Sequence, residues 1–295
     1  FANQQGGDVA IKVLHPHYAE HPDMKKRFER EALLGIQLKH PGIVKVFELV
    51  INSGRVALVM EKVEGRPLSE MIGSETGPIP WTRAENLIKQ LMDAIGYAHT
   101  HGVIHRDLKP ENIMVGLEGD LKILDFGIAK EMHTGHTQTG TGIGTPDYMA
   151  PEQYLDAKNV DARADIYGLG MTLYEMLAGQ LPWPDTTPKF TILDLKRMGQ
   201  IAPPTEFYPH IPPAVVEIVM KMIRPTVSDR FQTIQSIALA LSQLQQPKAG
   251  PSPTPKESET TPHLFRRLQA LYSRSGSENI PVPIEPMPVT ESWVR

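Results

Sequence analysis

The octapeptide His105-Arg106-Asp107-Leu108-Lys109-Pro110-Glu111-Asn112 decides the fold, together with the motif Asp125-Phe126-Gly127 that follows it. Residues 113–124 between them predict a hairpin, because two apolar runs flank a glycine-containing turn. A hairpin returns the chain to its starting point, so we expect Asn112 and Asp125 to lie close together. Their side-chain oxygen atoms suit a hard cation such as Mg²⁺, which also binds nucleotide phosphates.

Asp107 and Lys109 are two residues apart, so on an extended loop their side chains point the same way. A carboxylate can accept the proton of a hydroxyl group, and an ammonium can neutralise a phosphate. Beside a metal site, these two groups outline a centre for phosphoryl transfer. The alternative is an ordinary polar loop between a helix and a hairpin, which the agreement of both motifs with their predicted context disfavours.

The octapeptide resembles the catalytic loop of serine/threonine protein kinases, and Asp125-Phe126-Gly127 resembles their magnesium-binding motif. The resemblance runs roughly over residues 8–246 and is strongest to the bacterial receptor-like (Hanks-type) kinases. It implies an α+β, two-lobed fold, with a small β-rich N-lobe at residues 1–60 and a hinge and larger helical C-lobe at residues 61–246. It also implies transfer of the γ-phosphoryl group of ATP to a Ser or Thr hydroxyl with Mg²⁺, or with Mn²⁺ in its place.

The same resemblance implies a role for each residue at the centre of the site. Asp107 would orient the acceptor hydroxyl and take its proton, while Lys109 would stabilise charge on the transferred group. Asn112 and Asp125 would hold the metal ion. Glu111 would attract a basic residue of the substrate.

Supporting roles follow from the resemblance for seven further residues. Asp165 would accept backbone hydrogen bonds from the catalytic loop, Glu152 would pair with Arg230, and Thr145 would contact the catalytic aspartate. The full set is His105, Arg106, Phe126, Thr145, Glu152, Asp165 and Arg230.

The N-lobe would complete the ATP site. Lys12 lies in an apolar strand at residues 8–14 and Glu31 in a helix predicted over residues 22–39, and the resemblance implies that they pair and place the α- and β-phosphates. For Lys12 alone, an exposed position on a strand is the alternative. Gly35 stands where many kinases carry a larger apolar residue that stacks with His105, Phe126 and a strand residue, here Val46, so we expect this helix to be loosely held.

Residues 61–65 resemble the hinge of a kinase. The backbone groups of Glu61 and Val63 would bind the adenine, and Met60 would guard the back of the pocket. Simple core packing is the alternative for Met60, and the two roles are compatible.

Apolar periodicity predicts the C-lobe helices over residues 81–101, 161–178, 188–198, 213–223 and 231–245. Thr82 and Glu85 predict a capping box at the start of the first of them.

Residues 133–142 lie between Asp125-Phe126-Gly127 and Ala150-Pro151-Glu152, and they consist mostly of Gly, Thr and His. Thr137 and Thr139 of this segment resemble the doubly phosphorylated loop of bacterial receptor-like kinases, and we expect activation by autophosphorylation there. A phosphate on either threonine would pair with Arg106. A flexible loop with turn-forming threonines is the alternative.

Composition excludes several classes of function. The chain has 295 residues and a net charge of −4, which gives no support to nucleic acid or an anionic membrane as a partner. The absence of cysteine excludes disulfides and thiolate metal sites. Without an apolar run of about 18 residues, no membrane span is predicted in this stretch. We expect a cytoplasmic kinase domain whose partners are protein substrates and a second copy for trans-autophosphorylation, and leave open a membrane anchor beyond Arg295.

Both ends of the sequence depart from the kinase pattern. Kinases carry a glycine-rich strand-turn-strand before the strand lysine, and Gly6-Gly7 does not match it, so we expect a truncated N-lobe that binds ATP poorly. Residues 247–295 hold nine prolines and predict a linker or disordered tail, with a short helix over residues 261–273 as an option.

Two other classes of protein stay open. A catalytically weak kinase-like scaffold would act through the tail, which the intact Lys12, Asp107, Asn112 and Asp125 disfavour. A small-molecule phosphotransferase of related fold is disfavoured by Ala150-Pro151-Glu152 and the threonine-rich segment, which serve peptide docking and switching in kinases.

Overall fold

The computed structural model of the chain describes residues 8–14, 22–52, 55–72, 77–126, 146–156 and 159–245. The N-terminal part is a small antiparallel sheet with one helix, and the C-terminal part is mainly helical, as the two-lobed prediction requires. The elements of the N-lobe are β1 (Val9–Val13), α1 (Pro22–Gln37), β2 (Val46–Asn52) and β3 (Arg55–Glu61).

The N-lobe sheet has the order β1-β3-β2, so β3 is its central strand. Along β3 the buried residues alternate with half-buried ones, as expected for a strand with one face on a core. Lys12 of β1 stands opposite Leu58 of β3. Helix α1 packs on β2, and the buried core of the N-lobe, which comes from α1, β3 and the residue Val44, consists of Phe28, Ala32, Val44, Val56, Leu58 and Met60.

A second small sheet begins the C-lobe and carries the predicted hairpin. It contains β4 (Arg66–Pro67), β5 (Ile113–Val115) and β6 (Leu121–Ile123) in that order. Strands β5 and β6 pair antiparallel, with Ile113 opposite Ile123. The hairpin prediction is therefore confirmed, and it brings the end of the octapeptide back beside Asp125.

The C-lobe helices that the structure describes are α2 (Leu68–Glu70), α3 (Trp81–Thr100), α4 (Pro151–Leu155), α5 (Arg163–Ala178), α6 (Lys189–Met198), α7 (Pro213–Met222) and α8 (Ile234–Gln245). The lobe is organised around the long helix α3 and the almost fully buried helix α5. Helix α3 contacts α5 and α8, while α7 packs on both α5 and α8. Each helix predicted for this lobe is present, with its ends shifted by at most three residues.

The capping box predicted at Thr82 is wrong. Helix α3 begins two residues earlier than that motif requires, with Pro80 instead of Thr82 as its N-cap and no side-chain capping bond. The carbonyl of Pro80 accepts the N–H groups of Arg83 and Ala84. Thr82 therefore lies inside the first turn, where its hydroxyl is not in the capping position.

None of the helices that the structure describes combines the length and hydropathy of a membrane span. The tail from residue 246 onward, with the predicted helix at 261–273, lies outside the described residues. The proposed lobe boundary at residue 60 stays a prediction.

Candidate active site

The buried carboxylate of Asp165 anchors the start of the catalytic loop. Its oxygens accept the backbone N–H of His105 at 2.8 Å and that of Arg106 at 2.7 Å, and His99 Nε2 lies 2.7 Å away. Arg106 has a left-handed backbone, with φ of 63°, which is uncommon for a residue other than glycine. The charge-assisted bonds to Asp165 offset that strain and fix the direction in which the chain enters Asp107.

His105 connects the catalytic loop to the second acidic motif. Its Nδ1 accepts the N–H of Asp107 at 3.2 Å, and its Nε2 donates to the carbonyl oxygen of Leu124 at 2.9 Å. Burial lowers the pKa of His105, so the ring is a neutral imidazole in a single tautomer. The ring also contacts Phe126, with 4.7 Å between the centroids.

Asn112 joins the catalytic aspartate to the hairpin. Its Nδ2 donates to the backbone oxygen of Asp107 at 2.8 Å and to the Asp107 carboxylate at 3.2 Å. Its own carbonyl accepts the N–H of Leu124 at 2.8 Å, one residue before Asp125. Because the amide nitrogen faces Asp107, the amide oxygen of Asn112 is the atom of this side chain that could bind a metal ion. The Lys109 ammonium lies 3.8 Å from the Asp107 carboxylate.

Lys12 reaches the same site from the N-lobe. Its Nζ lies 2.9 Å from Oδ1 of Asp125, and both side chains remain more than a third exposed. Glu31 belongs to helix α1, but its side chain is not among those described, so its predicted pairing with Lys12 stays a prediction. The contact between Lys12 and Asp125 was not predicted, because the resemblance gave each residue a different partner.

The oxygen donors fit a magnesium ion that is shared with a nucleotide. Asp125 could supply a carboxylate and Asn112 an amide oxygen. Among the residues that the structure describes, no cluster of three or more His, Cys, Asp or Glu side chains could enclose a metal ion. Mg²⁺ suits such a sparse set, because it commonly keeps several waters and takes phosphate oxygens as ligands.

The predicted hinge is fastened to the rest of the molecule through Glu61. Its carboxylate lies 2.9 Å from Nζ of Lys122 and accepts the N–H of Lys45 at 3.2 Å. The N–H of Glu61 donates to the carbonyl of Lys45, so its own carbonyl is the group that could bind adenine. Met60 is buried in the N-lobe core, and the half-buried Val63 packs against that core.

Gly35 is buried in α1 and faces β2. A Cβ atom at this position would lie 2.7 Å from Cγ2 of Val46, so Val46 fills the space that a larger residue would occupy. Gly35, Val46 and Phe126 line one cavity of about 20 Å³. That cavity is just large enough for a water molecule, so α1 has less apolar contact here than a close-packed core provides.

Glu152 and Arg230 form the predicted ion pair. Two guanidinium nitrogens of Arg230 lie 2.6 and 2.7 Å from the two carboxylate oxygens of Glu152. The remaining donors of Arg230 reach the carbonyls of Arg163, Arg224 and Pro225. The predictions for Gly127, Thr137, Thr139 and Thr145 fall outside the described residues.

Sequence reasoning missed several residues that hold the segment before helix α4. Gln153 accepts the N–H of Ala150 and donates to the carbonyl of Arg106, both at 2.9 Å. Tyr148 donates to Glu175 at 2.5 Å. Nothing near Tyr148 or Gln153 in the sequence reports Glu175 or Arg106, because these two partners lie 27 and 47 residues away. A third such residue is the buried Lys196, whose ammonium binds the carbonyl of Pro146 at 2.7 Å.

Comparison with known proteins identifies a matching family model and related sequences. A family model for the protein kinase domain matches residues 1–241. Serine/threonine-protein kinase Pkn1 of Myxococcus xanthus is 36% identical over 242 residues, which cover 80% of this chain and 34% of Pkn1. Serine/threonine-protein kinase PknB of Mycobacterium tuberculosis is 33% identical over 291 residues, which cover 96% of this chain and 46% of PknB. The chain thus spans less than half the length of these curated relatives.

Among solved structures, the kinase domain of Mycobacterium tuberculosis PknI is similar, with a TM-score of 0.64 and 25% sequence identity. The match covers 80% of this chain and 85% of that domain. It agrees with the two-lobed architecture described above.

Proposed function

Because the chain belongs to the protein kinase family, we propose that the protein is a serine/threonine kinase that transfers the γ-phosphoryl group of Mg-ATP to protein hydroxyls. The observation that carries this proposal is the position of Asn112. Its side-chain amide binds Asp107, and its backbone carbonyl binds Leu124, the residue before Asp125. Asn112, one predicted metal ligand, therefore connects the catalytic aspartate to the strand that leads to Asp125, the other predicted ligand.

Asp107 and Lys109 then have distinct chemical roles in the transfer. The carboxylate of Asp107 orients the acceptor hydroxyl and accepts its proton as the oxygen bonds to the γ-phosphorus. The bond between that phosphorus and the β,γ-bridging oxygen breaks in the same transfer, and ADP is the leaving group. The ammonium of Lys109, on the same side of the loop, stabilises the negative charge of the phosphoryl group during its transfer. Mg-ATP, when bound, supplies the phosphoryl group and the charge of the metal ion.

The nucleotide would be held by residues of both lobes. Lys12 faces the α- and β-phosphates, with Glu31 as its partner once the helix closes, and Asn112 and Asp125 ligate Mg²⁺ or Mn²⁺. Exposure of the Lys12 and Asp125 side chains supports this, because the Lys12 ammonium can exchange the Asp125 carboxylate for a phosphate and leave that carboxylate for the metal ion. The carbonyl of Glu61 and the backbone of Val63 would bind the adenine in front of Met60.

Regulation would occur at the segment that carries Thr137 and Thr139. We propose that two copies of the protein phosphorylate these threonines in each other and that Arg106 receives the phosphate. The left-handed backbone of Arg106, fixed by Asp165, supports this role because it holds the residue in one orientation beside Asp107. Thr145 would contact Asp107 and favour Ser or Thr acceptors.

The test is to incubate the full-length protein with Mg-ATP and to map phosphorylated residues by mass spectrometry. Asp107→Asn removes the proton acceptor, and Glu118→Gln, on the exposed turn between β5 and β6, is the matched carboxylate-to-amide control. We expect phosphate on Thr137, Thr139 and added protein acceptors with wild type and the control, and none with Asp107→Asn. Equal labelling of all three would trace the signal to a contaminating kinase and contradict the proposal.

A further inference from the structure

Lys196 is a fully buried lysine on helix α6 whose ammonium group binds three backbone carbonyls. Its Nζ donates to Pro146 at 2.7 Å, to Met149 at 3.0 Å and also to Asp147. The side chain has no exposed surface. The three acceptors are nearly consecutive and lie about 50 residues before the lysine.

The number of acceptors matches the charged form of this side chain. An ammonium has three N–H donors and a neutral amine only two, so three carbonyl partners use the ammonium completely. The rings of Tyr167 and Trp183 also face it, with Nζ 5.1 and 5.4 Å from their centroids. Burial lowers the pKa of Lys196 well below its usual range, while the negative charge of Asp147, the three carbonyls and the two rings favour the ammonium.

Burying an ammonium without a direct carboxylate partner costs free energy that the carbonyls and rings must offset. A methionine or leucine would fill the same volume without that cost. The buried ammonium therefore fixes the backbone of residues 146–149, which an apolar side chain that only fills the volume would not do.

The segment that Lys196 fixes lies beside the catalytic loop. Tyr148 and Met149 line the same small cavity as Arg106 and Asp107. Other bonds fix the side chains of this segment, since Trp183 Nε1 donates to the Asp147 carboxylate at 2.7 Å. The side chains of Asp147 and Met149 stay half-exposed, so an acceptor peptide that approaches Asp107 can contact them.

We propose that Lys196 is a positioning residue for the acceptor peptide: its ammonium holds the backbone of residues 146–149 where the peptide must bind to bring its hydroxyl to Asp107. This inference rests on the proposed kinase function. It assigns Lys196 no contact with the nucleotide, whose predicted ligands are on the N-lobe, the catalytic loop and the residues around Asp125.

The test uses Lys196→Met, which keeps the length of the side chain and removes its three donors, in the full-length protein. Arg197→Met is the matched control, because the neighbouring Arg197 is exposed and forms only a surface pair with Asp194. For a peptide chosen from a Ser/Thr array that wild type phosphorylates, we expect the Lys196→Met variant to raise the peptide KM about tenfold. The KM for ATP and the peptide-independent hydrolysis of ATP should stay within about twofold of wild type.

A second variant keeps the inference testable if Lys196→Met does not fold. Lys196→Gln retains two N–H donors, so its peptide KM should exceed that of wild type by less than about tenfold. Hydrogen exchange should increase at residues 147–150 in both variants and remain unchanged at residues 105–112.

The outcomes separate this inference from the proposed function. Wild type that phosphorylates the peptide, with an unchanged peptide KM in both Lys196 variants, would overturn the positioning role alone. A parallel loss of ATP hydrolysis and peptide phosphorylation would also overturn it, because it would indicate a general structural effect. Wild type without any peptide phosphorylation would overturn both.

Discussion

The carboxylate of Asp165 accepts the backbone N–H of Arg106 at 2.7 Å across 59 residues of sequence. The same carboxylate accepts the N–H of His105 and contacts His99, so one buried side chain determines the path of the catalytic loop. Asp165→Asn keeps the shape but replaces a charged acceptor by a neutral amide whose nitrogen faces backbone donors.

For this substitution we expect kcat to fall at least about 100-fold, because a loop displaced by an ångström misplaces Asp107. The free energy of unfolding should fall by about 2–3 kcal/mol, since hydrogen bonds to a charged group are lost. Steady-state kinetics and urea unfolding measure the two effects. Asp194→Asn, an exposed carboxylate on α6, is the control, and equal behaviour of both variants would exclude the anchoring role.

Arg230 and Glu152 should dominate the stability of the C-lobe. Arg230→Met leaves the mostly buried Glu152 without its partner and removes bonds to three carbonyls, so we expect a loss of about 3–5 kcal/mol in the free energy of unfolding. Urea unfolding of the single variants and of the double variant with Glu152→Gln gives the coupling energy. Arg197→Met, which breaks an exposed pair, should cost less than about 1 kcal/mol. Additive effects of the two buried substitutions would show that the pair is not coupled.

Glu175 should make stability depend on pH. Burial raises the pKa of Glu175 to about 7, from a usual value of 4.5. Between these values the folded protein holds a proton that the unfolded chain has lost, so the contribution of this group falls as pH rises from 4.5 to about 7. The difference in pKa corresponds to about 3 kcal/mol over that window.

Urea unfolding at pH 5 and at pH 7.5 measures this dependence. We expect Glu175→Gln, which cannot ionise, to lose less stability than wild type between the two pH values. Glu217→Gln, on the exposed side of α7, should retain the wild-type dependence. The same pH dependence in all three proteins would contradict a raised pKa at Glu175.

Some of the site follows from sequence because its parts are local. The hairpin of residues 113–123 has two apolar runs and a turn, and it alone brings Asn112 beside Leu124. Asp165 and Arg230 could be assigned only by resemblance, since nothing near them in sequence reports their distant partners. Lys196 was missed for a further physical reason. A lysine on an amphipathic helix is normally exposed, and only the carbonyls of residues 146–149 and two aromatic rings make its burial tolerable.

Gly35 and Val46 should show coupled effects on stability. Glycine inside a helix lowers stability by about 0.5–1 kcal/mol relative to alanine, so Gly35→Ala would stabilise α1 if the new methyl group had room. The methyl group has no room, because it would lie 2.7 Å from Cγ2 of Val46. The single variant should therefore gain nothing or lose stability. Val46→Ala alone should also lose stability, because it enlarges the cavity beside Phe126.

The double variant Gly35→Ala/Val46→Ala should be more stable than the sum of the two changes predicts, by about 1 kcal/mol, since each substitution relieves the defect that the other creates. Urea unfolding of wild type, the two single variants and the double variant measures this coupling. Gly96→Ala is the control for helix propensity alone, because a new methyl group there would have its nearest neighbour at 3.5 Å. Strict additivity would mean that α1 moves away from β2 to admit the methyl group. The helix would then be held as loosely as its sequence predicts, and the lysine-glutamate pair would depend on ATP or a partner to close it.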